Sequence, residues 1–238
     1  MKLAVVIPAY NAARHIEAVL ERVAGLAQCG LQEVIVVDDG SRDATAELVR
    51  ARQATAFRLR LLSRTRNGGY GAAMKDGLAL ARESEPDIVA CIHADGQYAP
   101  EVLPGMIEQL SRRRLDLVQG SRIAAGTALR GGMPLYKYVG NALLNRVENH
   151  TLELSMTDYH SGYLVYGPRA LGLPFSNLSD SFDFDLEVIA SARAHGLSVG
   201  EVPIPTHYGD EVSHLNPLTY GLRVLRVMWN YQRGRYAP

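Results

Sequence analysis

Short runs of β-branched and aliphatic residues alternate with segments of helical period through the first 120 residues, and that alternation restricts the chain to a layered α/β fold. "LAVVIP" (3–8), "EVIVVDDG" (33–40), "RLRLLS" (58–63), "PDIVACIHAD" (86–95) and "LDLVQG" (115–120) read as strands. "ARHIEAVLERVAGLA", "RDATAELVRARQ", "GAAMKDGLALARE" and "PEVLPGMIEQLSRR" read as the helices between them. Most of these strands are apolar along their length rather than alternating, so both faces need cover, and a mostly parallel, Rossmann-like sheet flanked by helices supplies it. "LDLVQG" is expected to close this doubly wound layer. After Gly120 the rhythm changes to a Gly-rich loop "GSRIAAGTALRGGMP", a helix "LYKYVGNALLNRVENH", a strand "GYLVYG", a helix "FDFDLEVIASARAHG" and a last strand "SVGEVPIPT". No repeat, linker or low-complexity tract interrupts the chain, which reads as a single domain with a front and a back half.

Composition removes several function classes. Lys plus Arg and Asp plus Glu each number 25, so the formal charge is zero and nothing pulls the whole chain toward nucleic acid. Cys29 and Cys91 sit in apolar stretches and read as buried thiols, not a disulfide framework. "MKLAVVIPAY" is cut by Pro8 and Tyr10, and no window approaches about 18 unbroken apolar residues, so a cytoplasmic, non-spanning protein is expected. The oligomeric state is not readable here.

An open parallel sheet binds ligands beyond the C-terminal ends of its strands, and those ends are polar. The first runs into Pro8, Tyr10 and Asn11, the second into Asp38, Asp39 and Ser41, the third into Arg64, Arg66 and Asn67, and the fourth into His93, Asp95 and Gln97. Any one of these sets also reads as turn punctuation or helix capping, but four on one edge suggest a site. Asp39 could accept from a base or ribose donor, while Asp95 and Gln97 offer hard oxygen ligands for Mg²⁺ or Mn²⁺. Such a cation bridging phosphates stabilises a departing diphosphate, which implies a nucleotide-diphosphate sugar. "NGGYGAA" lacks the G-x-G-x-x-G spacing of a dinucleotide fold, and no Walker sequence occurs.

Taken in order, "VVIPAYN", "VIVVDDGSRDAT", "RTRNGGYGAAMKDGL", "HADGQYAPEVLP" and "GSRIAAG" resemble glycosyltransferase family 2, especially the polyprenyl-phosphate branch that includes dolichol-phosphate mannose synthase. The resemblance runs from about Lys2 to Ser213. It implies a GT-A fold, a nucleotide-diphosphate sugar donor, a divalent cation, inversion at the anomeric carbon and an acceptor that is most readily a polyprenyl or dolichyl phosphate. A sugar or other hydroxyl acceptor is the alternative, and a non-catalytic nucleotide-sugar-binding protein is another. On this reading residues 1–213 form the catalytic domain, with 1–120 the nucleotide-sugar half and 121–213 the acceptor half, and 214–238 a basic amphipathic helix.

Carried over position by position, the resemblance assigns Pro8, Tyr10 and Asp39 to the nucleobase pocket with Asp38 beside it, Asn67 and His93 to the donor set, and Asp95 and Gln97 to the metal. Arg122 would meet a phosphate, with Arg130, Lys137 and His207 as further acceptor-phosphate candidates. Asp158 in "TDYHSGY" matches an acid proposed as the base in some relatives. A lipid monophosphate is largely dianionic at neutral pH, with a second pKa of about 6, and requires no strong base. A hydroxyl acceptor would make Asp158 or Asp185 essential. Two positions depart from the pattern: His93-Ala94-Asp95 replaces the usual aspartate-x-aspartate, so a neutral imidazole stands where a carboxylate is expected, and His207 stands where relatives often carry arginine. Many bacterial relatives end in transmembrane helices. Here the tail instead sets Leu218, Leu222, Leu225 and Trp229 at helical spacing among Arg223, Arg226, Arg233 and Arg235, as suits either a peripheral membrane contact or a helix docked on the core.

Overall fold

The first-half strands are β1 (Leu3–Ala9), β2 (Leu31–Asp38), β3 (Arg58–Ser63), β4 (Ile88–Cys91) and β5 (Leu117–Ser121). Between them lie α1 (Ile16–Ala24), α2 (Thr45–Ala51), α3 (Tyr70–Arg82) and α4 (Leu103–Arg112). The second half adds α5 (Leu135–Leu152), β6 (Leu164–Tyr166), α6 (Pro168–Leu171), α7 (Phe184–Ala194), β7 (Val199–Pro203) and α8 (Pro217–Gln232). This computed structural model describes residues 1–53, 56–124, 126, 133–205 and 217–238, with Lys137, Pro217 and Leu218 described for backbone alone.

The strands form one sheet in the order β3-β2-β1-β4-β6-β5-β7, so it crosses both halves of the chain. The pairs β1–β2, β1–β4, β2–β3 and β5–β7 are parallel. The expected closure by β5 is corrected in one respect: β6 separates it from β4 and runs antiparallel to both, with Val89 opposite Tyr166 and Val118 opposite Val165. The direction follows from the connection. β5 ends at Ser121, and the segment leading into β6 is tied to that same edge, Thr157 to Ser121 at 2.7 Å and Asp158 to Arg122. A strand starting there must run back across the sheet.

Alternate strand residues face opposite sides, and each side has its own core. Val5, Ile7, Val34 and Val36 pack with Ile16, Val19 and Leu20 of α1 and Leu103 and Met106 of α4. Val6, Ile35, Val37 and Cys91 face Met74 and Leu78 of α3, Leu186 and Ile189 of α7, and Val224, Val227 and Met228 of α8. The chain runs from β1 to β2 and β3 on one side and then crosses to β4 on the other, which places the topological switch point between the C-terminal ends of β1 and β4.

Candidate active site at the carboxyl edge of the sheet

Short loops build the donor end. Asp39 accepts hydrogen bonds from the main-chain N–H of Gly68 at Oδ1 and of Gly69 at Oδ2, both at 2.9 Å, and Arg64 Nε lies 3.0 Å from Oδ1. Arg64 in turn reaches Asp76 at 2.7 Å. Gly40, at φ +71°, turns the chain after β2 against the backbone of Arg66 and Asn67, where an added Cβ would lie 2.6–2.8 Å from main-chain atoms. Asp38 accepts from Ser41 N at 3.2 Å, and Asn67 from Gly69 N at 3.1 Å. Asn11, at φ +51°, donates its N–H to Ser41 Oγ and accepts from Arg42 N. Tyr10 stands exposed at this edge beside the half-buried Pro8. Asp38 and Asp39, named from the sequence, thus brace the loops that follow β2 and β3.

The strand expected over 86–95 is shorter: β4 ends at Cys91 and a turn with Gly96 at φ +74° follows. Asp95 sits on that turn, half-buried, its Oδ1 accepting from Gln97 N at 3.0 Å. Among the described residues no other hydrogen bond to this carboxylate is formed, so Oδ2 remains open, and the hard oxygens of Asp95 and Gln97 fit a divalent cation. Three or more metal-binding side chains do not converge among the described residues. His93 points elsewhere. Its ring meets Tyr70 and Tyr98 edge-on, at 5.2 and 4.9 Å between centroids, and Nε2 lies 3.3 Å from the Tyr70 hydroxyl. Gly162 makes room for it, since a Cβ there would fall 2.3 Å from the ring. Burial pushes the His93 pKa down and Arg122 adds to this, against the opposing charge of Asp95.

Tyr70 donates its proton to Asp185 Oδ2 at 2.8 Å, while Asp185 Oδ1 is buried with no hydrogen-bond partner. Burial raises the Asp185 carboxyl to about 7 against the lowering effect of the Tyr70 bond. Sequence reasoning named Asp185 only as a base for a hydroxyl acceptor and passed over Tyr70, whose role depends on a partner 115 residues away.

Arg122 and Asp158, given separate roles from the sequence, form one ion pair. Arg122 donates through Nε at 2.7 Å, Nη2 at 3.0 Å and its main-chain N at 3.2 Å, and His160 N adds a fourth bond at 3.0 Å. Asp158 is fully buried, which alone would raise its pKa, but the guanidinium and these bonds outweigh burial and hold it below the usual carboxylate range. Behind it lies a cluster that the sequence did not reveal. His160, pushed by burial down to about 4, has Nδ1 3.1 Å from the Tyr220 hydroxyl of α8 and Nε2 3.5 Å from Glu148 of α5. Burial, with the charge of Asp158, raises Glu148 well above the usual range, and neither of its oxygens has a hydrogen-bond partner. Arg130, His207 and the side chain of Lys137, the other acceptor-phosphate candidates, lie outside the described residues.

A mostly parallel sheet whose carboxyl edge carries carboxylate-braced loops and an arginine–aspartate pair has the architecture of an α/β group-transfer enzyme of the GT-A kind. The family model for glycosyl transferase family 2 matches residues 4–171, and the chain belongs to that family. Among its relatives, a UDP-N-acetylglucosamine–dolichyl-phosphate N-acetylglucosaminyltransferase of Methanococcus voltae is 30% identical over 85% of this chain and 84% of its own. An undecaprenyl-phosphate mannosyltransferase of Micrococcus luteus is 30% identical over 86% of this chain and 83% of its own. The fold is also that of glucosyl-3-phosphoglycerate synthase from Mycobacterium tuberculosis, crystallised with Mn²⁺, uridine diphosphate and phosphoglyceric acid. That match has a TM-score of 0.69 at 21% identity, covering 100% of this chain and 79% of that one.

Proposed function

We propose that this glycosyltransferase moves a sugar from a nucleotide-diphosphate donor to the phosphate of a polyprenyl or dolichyl lipid by a single in-line displacement with inversion. The Arg122–Asp158 pair carries this reading. Asp158 receives four hydrogen bonds and its pKa is held low, so it is a poor proton acceptor and serves to aim Arg122 at a phosphate. A phosphate monoester needs no base, whereas an alcohol does. The lipid phosphates in the relatives' names support the same acceptor.

On the donor side, the loops shaped by Asp38, Asp39 and Asn67 would hold the nucleotide beside Pro8 and Tyr10. Asp95 and Gln97 would hold a divalent cation, which when bound stabilises the departing diphosphate. The acceptor's tail would lie toward α5 and α8, which pack together and expose Leu135, Tyr136, Val139 and Leu143 on the first and Leu222, Leu225 and Trp229 on the second. Arg226, Arg233 and Arg235, on α8 and just after it, are exposed, supporting peripheral contact with an anionic, cytoplasmic membrane surface. Among the described residues no helix is long and apolar enough to cross a membrane. A hydroxyl acceptor with Asp185 as base is a second reading, favoured by the raised pKa and unpartnered Oδ1 of that residue.

The test is transfer by purified protein, with Mn²⁺ and a panel of nucleotide sugars, to a polyprenyl phosphate and to hydroxyl acceptors. Transfer to the lipid phosphate is expected, with Arg122→Ala impairing acceptor use far more than donor binding. Transfer to hydroxyl acceptors alone, lost in Asp158→Asn or Asp185→Asn, would overturn the reading.

A further inference from the structure

We propose that His160 and Tyr220 are positioning residues for the acceptor phosphate: by pinning the turn at 158–160 to α8, they hold Asp158 where it aims Arg122. The proposal rests on the phosphate-acceptor reading above and deepens it, naming what sets the direction of the arginine.

A carboxylate orients a guanidinium only if it is itself fixed. Asp158 lies on no helix or strand, so the segment 156–160 is held by its neighbours. Its bonds reach α5, β5, β7 and α8. Met156 N and O meet the side chain of Asn149 on α5, both at 2.8 Å, and the Tyr159 hydroxyl donates to Asn149 Oδ1 at 2.7 Å. Thr157 N donates to Glu201 on β7 at 2.8 Å, and Thr157 Oγ1 lies 2.7 Å from Ser121 Oγ on β5. These ties fix the approach to the turn. The turn itself is closed by His160 N on Asp158 Oδ1 at 3.0 Å, a side-chain bond spanning two residues. Arg122 Nη2 meets the same oxygen at 3.0 Å, so displacing residue 160 displaces an oxygen on which the guanidinium rests.

What holds residue 160 is its ring. The side chain is 5% exposed, Nδ1 lies 3.1 Å from the Tyr220 hydroxyl, and the two rings meet edge-on at 5.3 Å between centroids. On the other side Nε2 lies 3.5 Å from Glu148 of α5 without forming a hydrogen bond, so the imidazole sits between α5 and α8. Burying a nitrogen with no partner costs folding free energy, and packing alone would favour an apolar residue there. The histidine is accounted for by its other nitrogen, which links the turn to Tyr220.

Binding of two probes to the purified protein in mild detergent, followed by calorimetry, tests this with no donor sugar present. Farnesyl phosphate carries the group that Arg122 would meet, and farnesol has the same chain without it, so the ratio of their affinities isolates the phosphate contact. Tyr220→Phe removes a single oxygen and should lower that ratio about 3- to 10-fold, the contribution of one neutral hydrogen bond, with farnesol affinity unchanged. His160→Leu should lower it at least as far, while His160→Asn, whose amide falls near the place of Nδ1, should restore most of the loss. Tyr220→Phe carries the test if His160→Leu does not fold. In the background Arg122→Met/Asp158→Leu the phosphate preference should vanish and Tyr220→Phe should add nothing, because it acts through that pair. A wild-type preference that Arg122→Met/Asp158→Leu abolishes but Tyr220→Phe leaves intact, or equal losses for both probes, makes the role structural only and overturns the proposal. A wild-type protein with no preference for farnesyl phosphate overturns the acceptor reading and the proposal with it, and is told apart because the Arg122 variant then changes nothing either.

Discussion

At the β2–β3 end of the sheet edge, Asp39 spends both oxygens on donors from the neighbouring loop, the N–H groups of Gly68 and Gly69, with Arg64 alongside. Under β5, β6 and α7 the arrangement is the reverse: Glu148, Asp185 and His160 are buried with oxygens and a nitrogen that no hydrogen bond reaches. Both regions hold acids near the same edge, but the first satisfies them locally and the second leaves them short of partners. Buried unsatisfied polar atoms are uncommon because each costs free energy, so a concentration of them marks where something other than stability is served. The donor end is a preassembled cradle. The back end is a set of coupled groups, and its perturbations should be larger and more dependent on pH.

Breaking the Arg122–Asp158 pair should have the largest effect. Arg122→Ala leaves Asp158 buried and uncompensated and should destabilise the fold by about 3–5 kcal/mol, measured by urea unfolding. The double variant Arg122→Met/Asp158→Leu should recover most of that loss without recovering acceptor use. A single variant as stable as wild type would mean that water reaches Asp158, and the contrast between the two regions would weaken.

Asp185 provides the next test through pH. Its folded pKa of about 7 lies above the ordinary 3.8, so between these values the folded state keeps a proton that the unfolded state releases. Its contribution to stability is complete at low pH and is lost as pH rises to about 7, by at most about 4 kcal/mol. His160, lowered to about 4 from 6.5, has the opposite sign, its contribution growing as pH rises through that range. The diagnostic quantity is therefore a difference: Asp185→Asn should gain on wild type up to about pH 7 and run parallel above it. A difference independent of pH would show that Asp185 is ionised in the folded state throughout.

At the donor end the expected effects are smaller. Asp39→Asn keeps one acceptor oxygen but turns an amide N–H₂ toward donors, which should cost about 1–3 kcal/mol in thermal or urea unfolding. A loss as large as that of Arg122→Ala would put both regions in the same class.

The same contrast decided what could be read from the sequence. The ends of β1 to β4 were legible because apolar runs fix the strands and short loops place Asp38, Asp39, Asn67 and Asp95 within a few residues of them. The position of β6 was not, since a three-residue strand carries no signal for which neighbours it joins. Asp185 was obscured by its own pattern: "FDFDLEV" looks half-exposed, yet every residue from Phe184 to Ala192 is buried. Tyr70 was passed over in "NGGYGAA", one residue ahead of the expected helix "GAAMKDGLALARE". The Arg122–Asp158 pair joins segments 36 residues apart, and no local periodicity links them.

The smallest stability effect belongs to the outer face of α8, where the sequence left two readings, and one side of the helix docks on the core. Val224, Val227 and Met228 dock on the core, while Leu222 and Leu225 face outward, 69% and 47% exposed. Because those two leucines have little to lose on unfolding, Leu222→Ser/Leu225→Ser should change stability by no more than about 0.5 kcal/mol. If the outer face meets a membrane, the same double variant should lower binding to vesicles containing anionic lipid by about tenfold, through the apolar area it withholds from the interface. Raising salt should weaken both proteins in parallel, because the arginines are untouched. Vesicle binding equal to wild type would remove α8 from the membrane contact and leave it the structural role of carrying Tyr220 to His160.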